Sequence, residues 1–183
     1  MTDAELALWA AEGDRDAFGV LVERHAATAR RLARAILLNG EDADDAAQDG
    51  FLSAWRAMRD FDVGRPFRPW LLRIVANAAR DLRRRRRVRE AEPLAPDVAT
   101  AGLGPDRETD RVLLREAFAR ALAALPERQR VALTMYDAEG YPHAEIATVL
   151  GVAEGTVRAD LFHARRAVRS ALAPFLEEGR DAR

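Results

Sequence analysis

The chain has 183 residues, of which 32% are charged, with a formal net charge of -1 and no cysteine. Without cysteine, disulfides, thiolate zinc sites and cysteine nucleophiles are excluded, and the balanced charge confines any nucleic-acid surface to local patches. All 29 basic residues are arginine; guanidinium suits phosphate and guanine, although a lysine-free chain more simply reflects a GC-rich coding genome.

The amino terminus, MTDAELALWAAEGD, is acidic, and no apolar run approaches the roughly 18 residues that span a bilayer, so a cytoplasmic protein without membrane insertion is expected. Thr2 and Glu5 form a capping-box pattern that opens a helix to about Ala11, and Gly13 with Asp14 ends it and starts the next. Phe18, Leu21, Val22, Ala29, Leu32, Ala33, Ile36 and Leu37 then recur at helical spacing as far as Asn39-Gly40. His25 lies within this one-sided helix with no partner at metal-ligand spacing, which reads as a solvated or hydrogen-bonded histidine.

The next segment, GEDADDAAQDGFLSAWRAMRDFD, is acidic first and apolar second, with Phe51, Leu52, Trp55 and Met58 expected inside. Acids favour a helix start, yet Glu41, Asp42, Asp44, Asp45 and Asp49 exceed what capping needs, and Asp45, Gln48 and Asp49 share one face. That face either grips a basic partner or is simply solvated. It lacks the turn glycine and alternating ligands of a calcium loop. Gly50 inside the helix costs about 1 kcal/mol relative to alanine.

After a loop at Asp62 to Pro66, a helix is predicted from about Phe67 into the run Arg83 to Arg87. Leu71, Ile74, Val75, Ala78, Ala79 and Leu82 form one arc, while Trp70, Arg73, Asn77, Arg80 and Arg84 form the opposite one. An aromatic ring, an amide and arginines together offer base stacking, a base-edge hydrogen bond and backbone charge, as single-stranded nucleic acid requires; a solvated basic helix end is the alternative. From Val88 to Thr109 prolines and glycines replace the periodic pattern, which reads as a flexible or extended linker. Thr109 or Asp110 then caps a helix whose Val112, Leu113, Ala117, Leu122 and Leu125 end at Pro126. A further helix runs from Glu127 to Asp137, before Gly140. The tail after Pro174 is expected to fray.

His143 to Arg169 reads as two helices joined by a tight turn, with Ala147, Gly151 and Val157 where a helix-turn-helix needs a small residue, a turn glycine and a buried branched residue. Val157, Leu161, Ala164 and Val168 face inward, so Arg158, Ala159, Phe162, His163, Arg166 and Arg169 face outward. Such a face carries arginine forks for guanine or phosphate and small or aromatic groups for thymine methyls. No strand pattern, phosphate loop, nucleophile elbow or metal-spaced histidine set stands out. The expected fold is therefore all-α: two small helical domains joined by a flexible linker, the second containing the helix-turn-helix. No catalytic residue, metal or cofactor is expected.

In this order, DADDAAQDGFLSAWRA, FRPWLLRIVANAARDLRRR and LPERQRVALTMYDAEGYPHAEIATVLGVAEGTVRADLFHARRAV resemble a bacterial RNA polymerase sigma factor of the extracytoplasmic function group. The resemblance covers nearly the whole chain. It implies a domain at 1–89 for core-polymerase binding and minus-ten recognition, a linker at 90–109, and a domain at 110–183 for minus-thirty-five recognition. It implies that Asp45, Gln48 and Asp49 dock on the clamp helices of the largest polymerase subunit. Phe67, Trp70, Arg73, Asn77, Arg80 and Arg84 then serve the melted minus-ten element, with the loop from Asp62 to Phe67 helping to capture a flipped base. Arg158, Ala159, Phe162, His163 and Arg166 serve the upstream duplex. The implied partners are core RNA polymerase, promoter DNA and an anti-sigma factor. Ala159-Asp160 and His163 depart from the residues frequent in the group; an aspartate near base edges would accept from cytosine and repel phosphate. The competing readings are a stand-alone helix-turn-helix regulator, which would dimerise on a palindrome, and a sigma mimic that titrates an anti-sigma factor.

Overall fold

The computed structural model describes residues 1–90 and 107–181, and within them every regular element is a helix. The first lobe comprises α1 (Asp3–Ala11), α2 (Arg15–Leu37), α3 (Gly40–Ala57), a 3-10 turn (Met58–Asp60) and α4 (Phe67–Glu90). The second comprises α5 (Arg107–Ala124), α6 (Glu127–Leu133) running into a π-helical turn (Thr134–Ala138), α7 (His143–Leu150) and α8 (Glu154–Asp181). Most of the stretch read as a linker lies outside the described residues.

Local chemistry sets the helix ends. Thr2 and Glu5 close the predicted capping box. Asp14 accepts from the backbone N–H groups of Asp16 and Ala17 at 2.9 and 3.0 Å, starting α2. The chain reversal after α2 falls on Leu38 rather than on Asn39-Gly40: Leu38 adopts φ 62°. Asn39 is held extended because its side chain caps α3 through the Glu41 N–H at 3.0 Å, so the left-handed residue must come one position earlier, at a cost of about 1–2 kcal/mol.

Small residues decide how α3 meets α4. Ala43, Ala46, Ala47, Gly50 and Ala54 form its buried face, Met58 is buried, Phe51 and Trp55 are half-buried, and Leu52, expected inside, is exposed. A Cβ on Gly50 would stand 2.7 Å from Val75 Cγ2 and 2.9 Å from Val75 Cα. The glycine is therefore the close-approach point between the two helices, which explains its presence in mid-helix. The buried residues of α4 include Leu72 and Ala76 as well as the predicted Leu71, Val75 and Ala79. Burial on this extra arc arises because α4 packs against α3 and α2 of its own lobe and also against α7 of the second lobe.

In the second lobe α5 begins at Arg107, before the predicted caps, since no glycine or proline separates Arg107 from the apolar stretch. Val112 and Leu113 are exposed, and Ala117, Ala121 and Leu125 take the buried positions. Helix α8 continues through Pro174 instead of fraying there; Leu172, two residues earlier, packs on the core, and the proline removes a single hydrogen bond. Arg130 of α6 is buried and donates to the Leu125 carbonyl at 2.8 Å, the Ala123 carbonyl at 3.3 Å and the Ala35 carbonyl of α2. One guanidinium thus satisfies the end of α5 and ties the second lobe to the first.

Gly50→Ala is expected to lower stability by about 1–2 kcal/mol, because overpacking against a backbone atom outweighs the gain in helix propensity. Thermal denaturation should show a melting temperature lower by about 2–8 °C; an unchanged or higher value would mean that the crossing relaxes freely.

Candidate nucleic-acid interface

Three surfaces carry the residues singled out by the sequence. On α3, Asp45, Gln48 and Asp49 are exposed on one face, and Gln48 stands on the lip of an open apolar groove between α2 and α3 lined by Phe18, Val22, Phe51, Leu52 and Trp55. Of the neighbouring acids, Asp42 is buried and paired with Arg86, and Asp44 pairs with Arg30 at 3.3 Å. The acidic segment is therefore divided between internal ion pairs and an outward face.

On α4 the predicted polar arc separates into two kinds of residue. Arg73, Asn77 and Arg84 are exposed, with Arg84 also pairing with Asp81 at 3.1 Å. Trp70 is half-buried, its ring 4.6 Å from Phe61 and 5.6 Å from Phe67 between centroids. Phe67 is only 4% exposed and meets Phe61 edge-on at 5.7 Å. Its ring is a core anchor for the loop from Asp62 and is not available to stack on a base. The loop is braced by the Asp62 carboxylate, which accepts from the Gly64 N–H at 3.0 Å and pairs with Arg65 at 3.2 Å. His25 lies against the Phe67 ring at 5.8 Å and within 2.7 Å of the Asp3 carboxylate, a hydrogen-bonded core histidine.

Arg80 has a different role from its exposed neighbours. Its Nε donates to the Glu127 carboxylate at 2.8 Å, and Arg83 pairs with the same carboxylate. Partial burial pushes the Glu127 carboxyl up, but hydrogen bonds and charge from Arg80 and Arg83 outweigh this and hold it below the ordinary glutamate value. Two similar bridges join the lobes. Arg68 donates to Glu145 through Nε at 3.0 Å and Nη2 at 2.8 Å and lies 4.2 Å from the Tyr141 ring centre. Arg31 and the Thr28 hydroxyl, at 2.8 Å, hold Glu139. There too burial acts upward and is outweighed by the hydrogen bonds from Arg31 and Thr28, so the carboxyl lies below its ordinary value. Both carboxylates are thus charged above the ordinary glutamate range, about 4.3, and are neutralised only as pH falls below it. Arg68 and Glu127 had no signature in the sequence, because their partners lie 77 and 47 residues away.

On α8 the predicted division holds: Val157, Leu161, Ala164 and Val168 are buried, and Arg158, Ala159, Phe162, His163, Arg166 and Arg169 are exposed, Phe162 at 62%. Gly151 takes φ 69° in the turn from α7. Tyr136, His143, Arg158, Phe162, Arg166 and Arg169 line one open groove. Tyr136 stacks on His143 at 4.7 Å, and Arg165 bonds to Asp137 at 3.0 Å and lies 5.0 Å from the Tyr136 ring centre. Spacing alone marks Arg165, seven residues after Arg158 on the same side of the helix, whereas Tyr136 reaches the groove only through the fold. Asp160 does not face the groove. It is 4% exposed and accepts from Arg128 of α6 at 2.6 and 3.3 Å, fastening α8 to its own lobe; the expected cytosine contact is replaced by an internal ion pair.

Sequence profiles of Sigma-70 region 2 and Sigma-70, region 4 match residues 21–89 and 115–168. The ECF RNA polymerase sigma factor SigM of Mycobacterium tuberculosis is 43% identical over 164 residues, covering 90% of this chain and 81% of SigM. The chain belongs to the extracytoplasmic function sigma factors. It is a subunit that directs promoter-specific transcription initiation by RNA polymerase. The sigma factor CnrH, solved in complex with the cytosolic domain of CnrY, is 34% identical and superposes with a TM-score of 0.71 over 94% of this chain and 97% of CnrH. The sigma factor RpoE of Bartonella quintana, solved with the anti-sigma factor NepR, shares the fold at 24% identity and a TM-score of 0.67, over 85% of this chain and 96% of RpoE.

Asp160→Ala is expected to destabilise this sigma factor by about 1.5–3 kcal/mol through loss of a charge-assisted bond, seen as a lower denaturation midpoint. Its base preference upstream should be unchanged; an altered preference at one position would return Asp160 to the groove.

Proposed function

We propose that the first lobe, residues 1–89, docks on core polymerase and holds melted minus-ten bases, while the second, 110–183, reads the upstream element as duplex. The observation that carries this reading is the exposure of Arg73 and Asn77 on a stretch of α4, Phe67 to Arg83, whose other residues are buried or half-buried, in the same chain as an exposed recognition face on α8. A helix confined by neighbours on most sides has no packing reason to present an amide and a guanidinium together.

In this reading Asp45, Gln48 and Asp49 grip basic side chains of the polymerase clamp, and the adjoining apolar groove extends the contact. Arg73, Asn77, Arg80 and Arg84 hold the displaced strand through charge and base-edge hydrogen bonds, with the accessible edge of Trp70 as a stacking surface. Phe67 shapes the capture loop from below. Arg158, Ala159, Phe162, His163 and Arg166 contact the major groove, positioning the enzyme upstream. The polymerase supplies phosphoryl transfer and its magnesium. This chain contributes no catalytic residue, needs no cofactor and acts in the cytoplasm; among the described residues no helix is long and apolar enough to cross a membrane. An anti-sigma factor is its expected regulatory partner, in keeping with a relative solved with one. A stand-alone regulator would not need the α4 face, and a sigma mimic would need neither DNA face.

Run-off transcription on sheared genomic DNA with purified core polymerase tests the reading: addition of the chain should yield discrete transcripts sharing two spaced upstream motifs. Asn77→Ala should impair open-complex formation while leaving polymerase binding intact, and charge reversal at Asp45 or Asp49 should weaken polymerase binding first. Unchanged promoter opening with Asn77→Ala would sink the assignment of α4. For Arg158→Ala a loss of about 1–3 kcal/mol at one upstream base pair is expected; uniform loss across sequences would make Arg158 a phosphate contact instead.

A further inference from the structure

At the seam between the lobes the apolar strip of Leu72 and Ala76 on α4 is fully buried, and α2 packs on α6 and the π-helical turn. Between α2, α5 and α6 the seam stays open as a cleft of about 470 Å³. Four arginines line it, Arg31 and Arg34 from the first lobe and Arg120 and Arg130 from the second. No carboxylate and no aromatic ring does, and Leu38 and Leu122 are its largest apolar side chains. The arginines differ in how far they are already engaged. Arg31 is held by Glu139, Arg120 has an exposed pair with Glu116 at 3.5 Å, and Arg34 is exposed with no carboxylate partner among the described residues.

Arg130 is 6% exposed, and every acceptor it meets is a neutral carbonyl, of Ala35, Leu122, Ala123 or Leu125. These take up Nε and Nη1. Nη2 has no partner among the described residues, yet no side-chain nitrogen sealed from solvent there lacks one, so Nη2 reaches the open cleft. Burial pushes this guanidinium down from its ordinary value, with Glu127 acting upward and Arg83 downward. Arginine keeps its proton inside a protein, so the cost of burying the charge stands, offset only by the carbonyl end of α5.

Independently of the DNA-reading roles, we propose that this cleft binds a small soluble organic phosphate, its anionic head on Arg34, Arg120 and Arg130 and a short aliphatic stem against Leu38 and Leu122. Three guanidinium groups offer more donors than a carboxylate accepts, whereas the three oxygens of a phosphate monoester match them. The absence of an aromatic wall leaves nothing for a nucleotide base to stack on. A volume of this size falls in the range of small-molecule sites, about 300–1,000 Å³, and the residues assigned to promoter DNA do not line it. The anion also supplies the charge that Arg130 lacks. With Arg34 on one lobe and Arg120 and Arg130 on the other, the complete site exists only where the two lobes meet, so the ligand stabilises that arrangement by linkage.

The test uses the full chain in titration calorimetry at about 0.15 M salt, with butyl phosphate, inorganic phosphate, butanol and adenosine monophosphate as probes. Butyl phosphate should bind one to one with a dissociation constant below about 1 mM. Inorganic phosphate should bind about tenfold more weakly, and butanol not at all. Arg34→Gln and Arg120→Gln, at exposed positions that leave the core untouched, should each weaken butyl phosphate about tenfold. Leu38→Asn, which suits the left-handed backbone at that residue, should remove the preference for butyl over inorganic phosphate. The paired control Arg56→Gln, Arg59→Gln, exposed arginines outside the cleft, should change neither affinity. No saturable binding of butyl phosphate, binding indifferent to Arg34→Gln and Arg120→Gln, or an equal loss in the control would each overturn the site. Inorganic phosphate binding as tightly as butyl phosphate would overturn the aliphatic stem, and tighter binding of adenosine monophosphate would overturn the exclusion of a base. Vesicles containing phosphatidic acid should not retain the chain; retention abolished by Arg34→Gln would make the ligand a membrane headgroup and overturn the soluble ester.

Discussion

The close crossing of α3 and α4 at Gly50 and Val75 is the constraint on which the functional surfaces depend. With Val75 Cα 2.9 Å from where a Cβ on residue 50 would stand, α4 packs on α3 at a distance that only glycine allows. Its apolar arc is committed to the first-lobe core and its neighbouring stripe to the second lobe. Up to Arg83 only Arg73 and Asn77 of α4 are left fully to solvent, and the exposed end from Arg84 to Val88 continues from them. Firm placement of these residues is what the strand-holding role proposed for α4 requires, since a base-edge hydrogen bond tolerates little displacement. The acidic face on α3 is tied to the same crossing and moves with it.

The charge organisation explains how a nearly neutral chain can serve an anionic ligand. Arginines concentrate on α4 and α8, while glutamates at Glu127, Glu139 and Glu145 answer the first-lobe arginines across the seam. Most of these pairs are partly solvated, and such pairs each contribute about 0–1 kcal/mol. The buried Arg130 bond to the Ala35 carbonyl and the apolar strip on α4 add to them. Contacts of this size favour one arrangement without making it permanent.

The helices and their inward faces were largely legible, because capping boxes, turn glycines and periodic apolar residues are local signals. Thr2 with Glu5, Gly151, and the alternation of Val157 and Leu161 with Arg158 and Phe162 all behaved as their spacing required. Misreadings cluster where a distant neighbour intervenes. Leu52 and Val112 are apolar yet exposed, Leu72 and Ala76 are buried by packing beyond the predicted arc, and Phe67 turns into the core beside Phe61. Asp160 looked like a base contact because it sits on the recognition helix, but Arg128, 32 residues earlier, takes its carboxylate inside.

What the sequence determined by itself was the all-helical class, the helix-turn-helix, the ordered segments of the sigma-factor family and the residue types available to DNA. These follow from interactions within a few residues of one another, which the linear order encodes directly. Tertiary structure alone decided which polar residues are free. The partition of Arg73 and Asn77 to solvent, Arg80 to Glu127 and Asp160 to Arg128 depends on through-space partners 30 or more residues apart, for Arg80 and Asp160 47 and 32, and no periodicity reports a charge that lies across a seam.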